Sequence, residues 1–148
     1  MPYYNQLTRG RMSDINLGLR VDRAAATHSG TATAYYTVSG VIYLTGLVGL
    51  VTVASGANAS RWSHVPTAGT TTYLCASLDI DPAVVGDLLG ISGVIATAMT
   101  YGGNVVGMMQ PQFLTAGNLT FTTAAAEGAT SWSLFYVPAS DGASVVAA

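Results

Sequence analysis

The sequence predicts an all-β protein, a single β-sandwich or barrel of jelly-roll-like character, with an extended N-terminal arm and at most one short helix. Three observations carry that expectation. From Thr31 onward, short β-branched and aromatic runs recur at close spacing. The breaks between them carry turn chemistry, as in Ser39-Gly40, Ser55-Gly56-Ala57-Asn58, Pro66-Thr67-Ala68-Gly69, Gly102-Gly103-Asn104, Ala116-Gly117-Asn118 and Glu127-Gly128. Arg9, Arg11, Arg20 and Arg23 all precede residue 24, leaving only Arg61 beyond, which sets residues 1–30 apart as an arm and linker from a β-rich domain over 31–148.

Within that domain, strands are expected at Ala34 to Val38, Val41 to Leu44, Leu47 to Ala54 and Thr71 to Leu78. Others are expected at Val94 to Met99, Val105 to Met109, Asn118 to Thr122 and Ser131 to Val137. The last places Trp132, Leu134 and Tyr136 on one face and Ser133, Phe135 and Val137 on the other, so both faces are partly apolar, as a central or interface strand needs. The short helix belongs to Asp81–Leu89, with Asp81 as N-cap and Pro82 in the first helical position, although a single turn fits the same residues.

A chain of 148 residues suits one domain, or a smaller domain plus an arm. It can bury roughly 70% of the surface its unfolded form exposes, enough to need neither metal nor disulfide. Charged residues make up only 8%, against about 25% in ordinary soluble domains, and lysine is absent. Thr, Ser, Ala and Gly take their place, which suits faces occupied by neighbouring subunits, because lysine and glutamate carry desolvation and entropy costs at an interface. The net charge of −2 argues against nucleic acid as a partner of the whole fold. Neither a signal peptide nor a membrane span is expected, since the apolar stretch Val41 to Ala54 is interrupted and falls short of the ~20 residues a helix needs to cross a bilayer.

Candidate chemistry is thin. His28 lies in the small-residue linker and His64 follows Trp62 in what reads as a loop, so neither is marked as catalytic, and no enzyme activity is expected. Asp79 and Asp81 project to one side of an extended segment and together could touch Ca²⁺, but no acidic cluster completes a six-oxygen shell, so a strand end and a helix cap are the better account. No metal or cofactor is expected. Cys75, in an alternating apolar context, reads as a small buried hydrophobe. The sequons Asn58-Ala59-Ser60 and Asn118-Leu119-Thr120 carry little weight in a chain so rich in Ser and Thr.

The arm holds the expected partner-binding residues: Tyr3, Tyr4, Leu7, Arg9, Arg11, Ile15, Leu17, Leu19, Arg20 and Arg23. Aromatic and aliphatic anchors beside arginine are typical of interface segments, and guanidinium groups can fork onto carboxylates or carbonyls of a neighbour. The alternation Ile15, Leu17, Leu19, Val21 also fits a strand added to a partner's sheet.

Four stretches carry a family resemblance: Val38-Ser39-Gly40-Val41-Ile42-Tyr43-Leu44-Thr45-Gly46-Leu47-Val48-Gly49, Leu74-Cys75-Ala76-Ser77-Leu78-Asp79-Ile80-Asp81, Thr130-Ser131-Trp132-Ser133-Leu134-Phe135-Tyr136-Val137-Pro138, and the closing Asp141-Gly142-Ala143-Ser144-Val145-Val146-Ala147-Ala148. Over residues 31–148 the chain resembles small structural proteins of tailed bacteriophages. The resemblance implies a virion component made in the bacterial host cytoplasm and carried on the capsid surface, a decoration or cement protein. Its implied partners are the major capsid protein and further copies of itself, as a homotrimer, with residues 1–30 as the reaching arm. A head fibre base or a tail or connector protein is the neighbouring alternative. From another class, a carbohydrate-binding β-sandwich would use Trp62, Tyr73, Tyr101 or Trp132 as stacking platforms.

Overall fold

The computed structural model describes residues 17–56 and 59–148. They fold into two antiparallel sheets packed face to face, built from twelve strands: β1 (Leu19–Thr27), β2 (Thr33–Ser39), β3 (Ile42–Val53), β4 (Ala59–Pro66), β5 (Thr72–Tyr73), β6 (Leu78–Asp79), β7 (Leu88–Gly90), β8 (Thr100–Tyr101), β9 (Gln112–Leu114), β10 (Gly117–Thr122), β11 (Ala129–Pro138) and β12 (Ser144–Ala147). One sheet runs β1-β11-β3-β7-β8, with β9 also on β3, and the other runs β12-β2-β10-β4-β5, with β6 also on β4. Both sheets end in edge strands, so the architecture is a sandwich. From β1 to β4, and again from β9 to β12, each successive strand changes sheet, which stitches the two layers together through contacts distant in sequence.

The core follows from period-two alternation. On β11, Thr130, Trp132, Leu134 and Tyr136 point inward and are buried, while Ser131, Ser133 and Phe135 on the other face are half-buried. Trp132 meets Trp62 of the opposite sheet edge-to-face at a centroid separation of 4.8 Å, and Phe121 lies 5.3 Å from both rings. Each such aromatic pair contributes about 0.5–1.5 kcal/mol beyond its buried area. Tyr35, Tyr36, Ile42, Leu44, Leu89 and Leu119 complete the cluster around them.

The two strands expected at Val41 to Leu44 and Leu47 to Ala54 are one strand, β3, because Thr45 and Gly46 continue the ladder to β11 through a register shift opposite Phe135 and Tyr136. Gly49 is needed here by close approach. A Cβ at that position would stand 2.7 Å from Thr130 Cγ2 and 2.9 Å from the Trp132 ring.

The helix expected over Asp81–Leu89 does not form, and no helix occurs among the described residues from Leu19 onward. Two tight turns replace it, closed by Ala83 N–H to Ile80 O and Asp87 N–H to Val84 O, both at 3.0 Å. The backbone of this segment is used sideways instead: Gly86 donates to Val51 O and Asp87 O accepts from Val51, while Gly86 adopts φ 97°. Val94 to Met99 and Val105 to Met109 are loops and not strands; the first is closed by Thr97 N–H to Val94 O and bridged to Ala76, between β5 and β6, at Ala98. Thr71 to Leu78 is broken into β5 and β6, which pair with successive parts of β4. That strand, β4, occupies residues read from the sequence as a loop around His64.

Candidate functional site

Of the residues expected to bind a partner, Tyr3, Tyr4, Leu7, Arg9, Arg11 and Ile15 lie outside the described residues. Of the remaining four, Leu19, Arg20 and Arg23 lie on one edge strand, and Leu17 sits inward of it. Leu17 is half-buried over the outer face of β3, where its carbonyl accepts the Thr45 hydroxyl. Gly18, at φ 83°, then turns the chain past the Tyr136 carbonyl, which any Cβ would strike. From there Leu19 to Arg23 pair in register with Tyr136 to Trp132 of β11, and Ala26 and Thr27 resume after a bulge. Residues 19–27, read from the sequence as arm and linker, are therefore the outermost strand of a sheet, added to the chain's own β11.

Alternation divides this edge strand's chemistry between its faces. Val21 packs on the core, so Arg20 and Asp22 point away from it. Arg20 Nε donates to Asp22 Oδ1 at 2.7 Å, and the Ser133 hydroxyl donates to the same oxygen at 2.7 Å. These bonds, the Arg20 contact foremost, hold the Asp22 carboxyl below the usual carboxylate range. On the inner face, the Arg23 guanidinium stacks 3.7 Å from the centre of the Tyr35 ring, a cation–π contact at the mouth of the sandwich. Leu19 remains half exposed at the strand's start.

A second feature lies on the loops around β7, β8 and β9. Val84, Val85, Val105, Met108 and Phe113 present 59–76% of their surface to solvent. Tyr101 donates its hydroxyl to Pro82 O at 3.0 Å, and Phe113 packs on Tyr43 with ring centres 4.7 Å apart. Next to Phe113, between β9 and β5, a cavity of about 400 Å³ is lined by Ile95, Leu74, Leu114, Gln112, Thr72 and His64. None of those side chains is charged at neutral pH. Burial pushes the His64 imidazole toward its neutral form, and its Nε2 lies 3.4 Å from Thr115 Oγ1.

The groups that could do chemistry are dispersed. His28 is buried, with Nε2 2.9 Å from Thr130 Oγ1 and its ring edge-on to Phe121, and burial lowers its pKa. Cys75 is buried, its Sγ accepts the Trp62 backbone N–H at 3.3 Å, and burial raises its thiol pKa. Asp79 Oδ1 accepts the Asp81 backbone N–H at 3.0 Å and thereby shapes the turn after β6. Among the described residues no three His, Cys, Asp or Glu side chains converge.

Sequence reasoning missed Asp22 as the partner of Arg20, although their two-residue spacing on an alternating segment places both on one face. It also missed the exposed Val84, Val85, Met108 and Phe113. Val84-Val85 before Gly86 carried a usable signal, because a β-branched pair beside a turn glycine suits a loop apex better than a helix. Comparison with protein-family models, with curated proteins and with solved structures finds no match to this chain.

Proposed function

We propose that this chain is a structural subunit of a tailed-bacteriophage particle, a capsid decoration protein that binds across adjacent copies of the major capsid protein. The observation that carries the reading is the pairing of an 8% charge content with exposed apolar side chains, Val84, Val85, Val105, Met108 and Phe113, on the loops distributed along β3. A protein free in solution surrounds such side chains with charge, whereas a subunit seated on a shell uses them. The segment before β1 adds a second point of attachment, and linked attachments multiply modest affinities. Each seated copy would add apolar and hydrogen-bonded contact across capsomer boundaries and resist the pressure of packaged DNA. The role asks for no catalysis.

The carbohydrate-binding alternative has less to stand on. Trp62 and Trp132 are in the core, and the Tyr73 ring is already faced by the Arg61 guanidinium at 3.7 Å, which leaves Tyr101. The test is to add the purified chain to heads that lack it and to locate it with a bound antibody. Labelling spread over the head facets is expected. Labelling confined to the tail or neck would replace decoration by a tail or connector role, and absence of binding would reject the proposal.

A further inference from the structure

β1 ends its sheet, and among the described residues it pairs with β11 alone. An edge strand is a template for another strand unless something blocks it, and native proteins commonly place charges there as the block. The charges on β1 are of an unusual kind for that purpose, because they are self-complementary. We propose that β1 pairs antiparallel with β1 of a second copy of this chain, about a two-fold axis through Val21, joining two sheets into one.

The register follows from the alternation. A two-fold axis perpendicular to the sheet must pass through a residue, so that side chains facing outward stay outward in both copies. Centred on Arg20, it sets arginine against arginine. Centred on Asp22, it sets aspartate against aspartate and leaves Arg20 opposite Ala24. Centred on Val21, it sets Arg20 of each copy opposite Asp22 of the other, so both charge pairs are attractive, and directly opposed side chains in a sheet interact. The same register brings Leu19, half exposed on the inner face, against the aliphatic stem of Arg23 from the second copy, beside β12.

The bulge after Arg23 bends the rest of β1 out of line and confines the pairing to about five residues on each side. Exposed ion pairs contribute little affinity, so backbone bonds and apolar cover hold the contact while the charges select its register and partner. A second copy is the occupant whose charges complement this edge residue for residue. The inference does not depend on the capsid reading, because it concerns only the purified chain.

The experiment is sedimentation velocity of the full chain at low salt over a concentration series, beside Arg20→Asp and Asp22→Arg. Wild type is expected to reach the mass of two chains. Each variant alone opposes like charges and should lose dimer affinity by about tenfold or more. An equimolar mixture of the two variants restores both attractive pairs and should dimerise at least as well as wild type. Both side chains are more than half exposed, so circular dichroism and melting should confirm unchanged folding. Three results would overturn the proposal: a wild type that stays monomeric, as when the chain's own residues 1–16 or a different protein cover the edge; variants that associate as strongly as wild type; or a mixture no stronger than its parts.

Discussion

Gly49 illustrates how a single residue sets the packing of both sheets. The Trp132 ring lies over it because no side chain intervenes, and Trp132 in turn reaches Trp62 of the opposite sheet. Gly49→Ala forces a methyl group to 2.7 Å from Thr130 Cγ2 and should cost about 1–3 kcal/mol, read as a lower denaturation midpoint with little change in the denaturant slope. The histidines set the pH response. Burial lowers the pKa of both His28 and His64 below the unfolded value of 6.5, so the unfolded chain binds more protons in the window beneath it. The stability they contribute is complete above pH 6.5 and is lost as pH falls below that value toward their folded pKa values. Melting temperatures should therefore fall between about pH 7 and pH 5, and His28→Gln combined with His64→Gln should flatten that slope. An unchanged slope in the double variant would mean that the titration comes from elsewhere.

At the scale of elements, β1 has two roles that the sequence did not separate. Its inner side, with Val21 on the core and Arg23 over Tyr35, completes the sandwich, while Arg20 and Asp22 mark its outer side. Removing residues 1–16 leaves all twelve described strands in place and sets the baseline for a longer truncation. Removal through Thr27 strips the strand, bares β11 along its length and should cost about 2 kcal/mol or more, with aggregation that rises with concentration. Chemical denaturation of the two truncations, beside the full chain, distinguishes these outcomes. Equal loss in both would contradict the assignment of β1 to the sheet.

Strands legible from residues alone were β11, through its alternation, and β2 and β10, through β-branched and aromatic runs bounded by turn residues. The central strand β3 looked like two, because Thr45-Gly46 carries turn chemistry that the ladder to β11 overrides. β4 was hidden by Ser63 and His64, polar residues that are buried because Thr120 and Thr115 hydroxyls lie within hydrogen-bond reach. The Asp81–Leu89 segment satisfied helix-start rules locally, yet its Val84-Val85-Gly86 sequence is a poor helix interior and its backbone found a better partner in β3. Of the expected site, Leu19, Arg20 and Arg23 fall together on the edge strand β1 and Leu17 lies over β3, whereas the exposed loop residues had no periodic pattern by which to be read.

For the whole molecule, the composition and the surface tell one story: few charges, a sandwich closed by aromatic packing, exposed apolar loop residues and a charge-alternating edge strand. Under the proposed decoration role the chain draws its stability from its own core and its purpose from what it touches. The most direct measurement is the number of copies retained per head when the purified chain is titrated onto heads lacking it, together with the temperature at which those heads release their DNA. The account predicts saturation at a fixed multiple of the shell's capsomer positions and a higher release temperature. Failure to bind, or saturation at the copy number of a single vertex or tail with no gain in heat resistance, would contradict it.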